Sequence, residues 1–407
     1  MGARVAVVSG SALFGRRAVQ AASSALAGST VALYDANVAR LGLVASQAER
    51  LGEGVSFEVA GSLEETLTGA DFVVVGLSPE PSARRLDWEI PFRHGIRQVL
   101  GECGGPGGAF RTLRMVPKLV SVARDMERLC PGATMLVCTE PVDRLCLAVV
   151  KATRVNVVGI GGGADAQLRR VAGIIGVPSR IFEASSAGLS GFSWFTGLHY
   201  VDGSDAYPSL HEALAKAKGT PPLGRVLHDR FGLYPSADDS HLGEFLAYAW
   251  DSCPPGLRGL EWIEAREREE ADAMVGGPVE ADGAVSGAFR VVSGILTDSG
   301  HVEPQLNLLN AGQVANIAEG AIVESPAIVD RTGVRPMKAG SLPQGIAAMS
   351  NMQIMIRRMV VEAALRGDRG LALKAVLADP VTHDTAAAEA VFDELFEAHR
   401  VALPQFG

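Results

Sequence analysis

The chain has 407 residues, 47% hydrophobic and 20% charged, enough apolar material for one large or two ordinary domains with real cores. Its formal net charge of −9 repels nucleic acid and anionic membranes, so neither is an expected partner. The five cysteines lack metal-ligand or disulfide-framework spacing, apolar runs fall short of the ~18 residues of a membrane span, and no basic leader precedes the first strand. A soluble protein of the reducing cytoplasm is the expectation.

Taken in order, residues 5–8 read as a strand, followed by a turn and an Ala-rich helix over 17–27. A second strand is expected at 30–34, a helix at 38–51, a shorter strand at 55–59 and a capped helical turn at 62–68. The almost wholly apolar run 71–77 is a fourth strand. A long helix is expected over 112–129, a strand at 134–138, a helix at 142–152 and a sixth strand at 155–160. Apolar runs alternating with helices imply a parallel sheet covered on both faces. After residue 160 the rhythm changes. Helices are expected at 211–217, 241–249, 260–274, 346–365 and from 371 to 402. Two β-rich stretches interrupt them, at 286–296 and at 306–324, the latter with hairpin-like Asn/Gly turns. The expected organisation is a Rossmann-like doubly wound α/β domain over 1–160 and an α+β substrate-binding and oligomerisation domain over 161–407, with the active site in the cleft between them.

The first strand runs into Ser9-Gly10-Ser11-Ala12-Leu13-Phe14-Gly15. Gly10 and Gly15 hold the outer places of a G-x-G-x-x-G fingerprint, with Ala12 in the middle one. All the turn residues are small, so backbone N–H groups can approach a pyrophosphate at a helix N-terminus. Asp35 closes the second strand where a carboxylate accepts bonds from ribose hydroxyls, which favours NAD over NADP. Ser9, Gly10, Ser11, Asp35, Arg40, Leu77 and Ser78 are the expected cofactor contacts. An ordinary βα turn with a helix-capping Asp is the plainer alternative.

Longer stretches resemble one enzyme family. Arg84-Arg-Leu-Asp-Trp-Glu-Ile-Pro91, His94-Gly95, Gly104-Gly-Pro-Gly-Gly108 and Asp125-Met-Glu-Arg-Leu-Cys-Pro131 are similar to glycoside hydrolase family 4. So are Ala187-Gly-Leu-Ser-Gly-Phe-Ser-Trp-Phe195, the run from Glu324 to Asp330 with Gly333 and Pro336, and the C-terminal stretches 361–365 and 375–406. The resemblance spans nearly the whole chain and includes NAD-dependent α-glucosidase, 6-phospho-glucosidase and α-galacturonidase types. It implies a fold of the lactate/malate dehydrogenase-like superfamily, a dimer or tetramer, and an exceptional glycosidase chemistry. NAD oxidises the sugar 3-hydroxyl, a base removes the acidified C2 proton, the glycosidic oxygen leaves C1, water adds, and hydride returns to C3. A divalent metal such as Mn²⁺ usually stabilises the enolate.

The chain departs from that pattern where the metal belongs. Gly161 stands in place of the family's metal-binding Cys, Gly191 in place of its His, and Gly162 where many members carry an acid. Thr139-Glu140-Pro141 replaces T-N-P, and Ser78-Pro79-Glu80-Pro81 replaces a basic R-x-G-G, which points to a non-phosphorylated glycoside. Glycine supplies neither ligand nor proton, so the metal site is not expected in its usual form. Arg84, Glu140 and Ser190 are the expected substrate contacts. Asp239, His241 and Tyr248 are the candidates for acid–base work, His241 because imidazole titrates near neutrality. Asp238-Asp239-Ser240 reads equally as a helix cap. Glu140, Asp165, His199, Asp202, Asp239 and His241 are the polar candidates for stabilising the enolate, directly or through a relocated metal. Gly161–Gly163 can instead offer backbone N–H groups to an oxyanion, His94 reads as structural, and 261–270 as a solvated helix face. Three readings stay open: an NAD-dependent hydrolase, an NAD-dependent sugar dehydrogenase, epimerase or lyase, and an inactive NAD- or ligand-binding module.

Overall fold

The structure is a computed structural model that describes residues 2–51, 54–218, 222–253, 258–280 and 283–407. In its first half, short β-branched runs form β1 (Arg4–Ser9), β2 (Thr30–Asp35), β3 (Ser56–Val59), β4 (Phe72–Gly76), β5 (Thr134–Val137) and β6 (Asn156–Gly159). Helices α1 (Ala12–Ala25), α2 (Val38–Leu51), α3 (Leu63–Leu67), α4 (Pro81–Arg93), α5 (Gly105–Leu129) and α6 (Val142–Ala152) connect them. The strands pair in parallel in the order β3-β2-β1-β4-β5-β6. β1 and β4 are buried almost throughout because helices cover both faces, which is why they read as continuous apolar runs. The strand order reverses between β1 and β4, and a doubly wound sheet binds ligands in the crevice at that point. The α/β expectation holds.

The second half contributes α7 (Gly163–Ile175), the hairpin β7 (Phe182–Leu189) and β8 (Phe192–Tyr200), then α8 (Tyr207–Lys216), α9 (Leu223–Phe231) and the short α10 (Asp239–Gly243). There follow α11 (Gly259–Met274), α12 (Gly283–Thr297), β9 (His301–Leu309), β10 (Ile322–Asp330) and β11 (Gly333–Pro336). The chain ends in α13 (Gln344–Arg366), α14 (Arg369–Ala378) and α15 (Thr385–Ala398). β9 pairs antiparallel with β6 through Gly159 and Asn307, and β9 pairs with β10, so one sheet runs through both halves. The hairpin inferred around residues 306–324 is thus the β9–β10 pair. No helix among the described residues is long and apolar enough to cross a membrane.

Several expectations change. Residues 286–296 belong to helix α12, not to a β-rich stretch. The β-branched residues misled, whereas Val285, Ala288, Phe289 and Val292 recur at helical spacing on its buried face. The β7–β8 hairpin was not anticipated, since its Ser- and Gly-rich strands carry little β signal. Helix α5 begins at Gly105 rather than 112, so the glycine-rich run is its buried first turn, and α10 stops at Gly243 instead of continuing to 249. Asp238 does cap α10, accepting from the Ser240 and His241 N–H groups at 2.9 and 3.0 Å.

Candidate active site

A groove that would suit a cofactor starts where β1 ends. Ser9 Oγ donates to the Ser11 carbonyl at 2.7 Å and folds the turn tightly, and Ser11 Oγ accepts from Phe14 N at 3.1 Å as the cap of α1. Gly10 is dictated by close approach: a Cβ there would lie 2.5 Å from Ser78 N. A Cβ on Gly15 would lie 2.6 Å from Val44 Cγ2, so the outer fingerprint glycines have separate packing reasons. Gly10, Ser11, Arg40, Leu77 and Ser78 line a cavity of about 250 Å³ here. Ser9 and Asp35 lie outside its lining. Ser9 shapes the turn, and the buried Asp35 carboxylate is gripped by Arg40 at 2.8–3.0 Å, so it is Arg40 that faces the groove. The expected free carboxylate for a ribose is therefore already paired. The small residues and the turn at the α1 N-terminus fit a dinucleotide. Helix α11 closes over them: Glu270 Oε1 accepts from Ala12 N at 3.0 Å. The run 261–270 is thus solvated only on its outer face, while Glu270 reaches inward.

Next to the groove opens a larger cavity of about 640 Å³. Helix α4 brings Arg84 to it, the end of β5 brings Glu140, and the turn after β6 brings Gly161 to Gly163. The tip of the β7–β8 hairpin supplies Ser190 and Gly191, α10 and its cap supply His241 and Asp238, and β10 supplies Glu324. Arg84, Glu102, Cys138 and Glu140 line both spaces, so cofactor groove and cavity share a wall.

The electrostatics of the cavity are set by a buried charge network. Burial opposes ionisation of Glu102, but Arg111 at 2.5 Å, with His241 and Arg84, outweighs it and holds the carboxyl well below the usual range. His241 Nδ1 lies 3.0 Å from Asp238 Oδ2, and its Nε2 lies 3.8 Å from Glu102 Oε2. Burial works against the imidazolium, yet Asp238 and Glu102 together raise His241 well above its ordinary value. Asp238 is held correspondingly low, burial again being overcome by His241. Burial, reinforced by Glu102, raises Glu140, which accepts from Val142 N at 3.0 Å and from the Cys103 thiol at 3.3 Å. Burial pushes Glu324 up to about 7 although Ser193, Gln305 and Asn307 bond it, and pushes Glu244 to about 7 beneath the Glu102–Cys103 backbone.

Not every expected residue reaches this place. Asp239 turns into the interior, accepting from Gly224 N at 2.8 Å and pairing with Arg170 at 3.3 Å, outside the cavity lining. As the residue after the cap it points away from the helix end that Asp238 occupies, so it is no base candidate. Tyr248 is 56% exposed and also outside the lining, because α10 ends before it. Asp165 lines the cavity 3.6 Å from Arg290, while His199 lies on β8 and Asp202 in the turn beyond it, both outside the lining. His94 is structural, pairing with Glu394 at 2.7 Å. Sequence reasoning missed Glu102, Arg111 and Gln305. Glu102 sits beside the glycine-rich run, the one signal that could have found it.

The residues do not fit a divalent metal. Among the described residues no group of three His, Cys, Asp or Glu side chains is placed to hold one. Gly161 and Gly191 offer no donor, and a Cβ at Gly161 would lie 2.9 Å from Glu324 Oε1, in space that the carboxyl already claims.

Comparison with known proteins agrees with the architecture. Residues 5–175 match the family 4 glycosyl hydrolases and residues 186–382 match the family 4 glycosyl hydrolase C-terminal domain. An alpha-glucosidase of Erwinia rhapontici is 29% identical over 91% of this chain and 91% of its own. An alpha-galactosidase of Bacillus subtilis (strain 168) is 27% identical over 94% of each chain. A 6-phospho-alpha-glucosidase from gut microorganisms, solved in complex with NAD and Mn²⁺, shares the fold with a TM-score of 0.85 at 17% identity, covering 100% of both chains. The chain belongs to the family 4 glycosyl hydrolases and is a glycosidase.

Proposed function

We propose that the chain is an NAD-dependent glycosidase that cleaves a non-phosphorylated glycoside by transient oxidation at C3, deprotonation at C2, elimination at C1 and addition of water. The observation that carries this reading is the wall shared by groove and cavity at Arg84, Glu102 and Glu140, across which a sugar would meet a dinucleotide. Gly10, Ser11, Arg40, Leu77 and Ser78 would hold NAD, which would supply the hydride acceptor for the sugar 3-hydroxyl. Glu140 stands at the junction with its pKa raised by burial, which suits a carboxylate that takes and returns a proton. Ser190, at the hairpin tip, and Arg84 hold sugar oxygens. His241, kept cationic by its two carboxylates, is an electrostatic partner rather than a base at rest. Ser78-Pro79-Glu80-Pro81 offers no cation to a phosphorylated sugar.

The test is a panel of 4-nitrophenyl glycosides assayed with NAD in D₂O. Nitrophenol release that requires NAD, without net NADH, and deuterium at C2 of the product are expected. Accumulating NADH would instead identify a dehydrogenase, and hydrolysis without C2 deuterium would exclude the elimination route.

A further inference from the structure

The cavity lining carries both signs of charge, with Arg84 and His241 among its cations and Glu102, Glu140, Asp238 and Glu324 among its carboxyls. The two carboxylates held ionised are already engaged, Glu102 by Arg111 at 2.5 Å and Asp238 by His241 at 3.0 Å. Neither is left to ligate a cation. His241 approaches from α10 beside the glycine at the hairpin tip: a Cβ on Gly191 would stand 3.5 Å from His241 Cβ. The nearest carboxylate oxygen to His241 Nε2 is 3.8 Å away, beyond hydrogen-bond range, so that N–H is available to an oxygen in the cavity. Arg84, half-buried, lines the same cavity and is placed in no salt bridge among the described residues. Its Nε is buried without a hydrogen-bond partner, and the guanidinium lies 6.0 Å from the Trp262 ring centroid. Glu102 and Glu270 act on this half-buried guanidinium without forming an ion pair with it, while Arg111 and Arg266 oppose them, which leaves it open to an anion that develops in the cavity.

We propose that His241 and Arg84, not a divalent metal, hold the negative charge that develops on the oxidised sugar, a proposal that rests on the redox-elimination reading above. When the C2–H bond breaks, its proton passes to the Glu140 carboxylate. Its electron pair forms the C2–C3 double bond as the carbonyl π pair moves onto O3. The O3 anion accepts the His241 Nε2–H bond and faces Arg84. O3 then returns to a carbonyl, the double bond shifts to C1–C2, and the C1–O bond breaks with its pair on the leaving oxygen, which takes a proton from water. The arrangement stabilises charge where it appears, with the His241 ring oriented beforehand by Asp238.

The experiment has two independent readouts on the full chain. Protein dialysed against EDTA is analysed for metal and titrated with Mn²⁺, and the same protein is assayed on the 4-nitrophenyl panel with NAD. We expect metal well below one ion per chain, no tight 1:1 Mn²⁺ binding and turnover unaffected by EDTA. In His241→Gln, kcat and the rate of C2 deuterium exchange should fall together by about 10²–10³-fold with KM little changed, the loss typical of one oxyanion donor. Arg84→Met should show the same split, and NAD affinity and the melting temperature identify any variant that is merely misfolded. Stoichiometric Mn²⁺, inactivation by EDTA, or C2 exchange at the wild-type rate in folded His241→Gln overturns the proposal. If no glycoside turns over, the hydrolase reading fails separately. The Mn²⁺ titration then still decides, tight 1:1 binding going against the metal-free cavity and its absence in favour.

Discussion

Gly161 and Gly191 show how much a single missing side chain constrains the chemistry around it. Restoring the ligands would not restore the site. A Cβ at 161 meets Glu324 Oε1 at 2.9 Å. Residue 191 has φ +73°, a left-handed conformation that costs a non-glycine residue roughly 1–2 kcal/mol. We predict that the double variant Gly161→Cys, Gly191→His gains no tight Mn²⁺ binding and melts below wild type. Paramagnetic titration giving one ion per chain would contradict this. Glu324 and Glu244 yield a second prediction at the same scale. Both carboxyls are pushed by burial to about 7 in the fold, above their unfolded range, so the folded state holds protons that the unfolded state has released. Stability contributed by the protonated forms is complete at low pH and is lost as pH rises from about 4.5 to 7. His241, also raised, adds a loss in the same direction at higher pH. Urea midpoints should therefore fall between pH 5 and 8, and less steeply in Glu324→Gln. An equal slope would exclude Glu324 as a source.

At the scale of elements, α11 closes over the candidate cofactor groove. Its Trp262 and Ile263 are buried while Glu261 and Glu264 face solvent, so an amphipathic stripe docks the helix across α4 and α1. That docking carries Glu270 onto the Ala12 N–H, the donor a pyrophosphate would use, and pairs Arg85 with Glu267 at 2.7 Å. Binding a dinucleotide must displace the carboxylate and overcome its charge. Glu270→Ala should bind NAD several-fold more tightly, given a net hydrogen-bond value of about 0.5–1.5 kcal/mol. Calorimetric titration showing weaker binding would mean that Glu270 supports the groove instead of competing for it. Helix α10, only five residues long, works by its cap: Asp238 holds both the helix start and the His241 ring.

Across the whole molecule, the C-terminal helices are locked to the doubly wound half by buried ion pairs. Asp87 on α4 accepts from both Arg114 on α5 and His399, the latter at 2.9 Å, and all three are almost fully buried. Arg357 on α13 pairs with Asp143 on α6 and donates to the Ser190 carbonyl at 3.2 Å, so the hairpin tip at the cavity is positioned from the far side. Removing one member leaves an uncompensated buried charge, and Asp87→Ala should cost about 3–5 kcal/mol, read as a lower denaturation midpoint. A change below about 1 kcal/mol would show that the pair contributes little to holding the halves together.

The parallel half of the fold was legible in the residue order because β1, β4 and β5 are apolar on both faces, and local periodicity reports burial on both faces directly. The Gly10 turn was legible for a similar reason, since its constraint lies within a few residues of chain. The Ser- and Gly-rich β7–β8 hairpin and the helix at α12 were not, because cross-strand partners and a buried helical face outweighed weak local propensity. The candidate cavity divides the same way. The absence of side chains at Gly161 and Gly191 is a property of the sequence alone, as is the Asp238 cap. That Asp239 turns inward, that Glu102 and Arg111 meet His241, and that Glu270 closes on Ala12 are decided by contacts between residues far apart in the chain. Those contacts depend on the distances and burial that only tertiary packing sets.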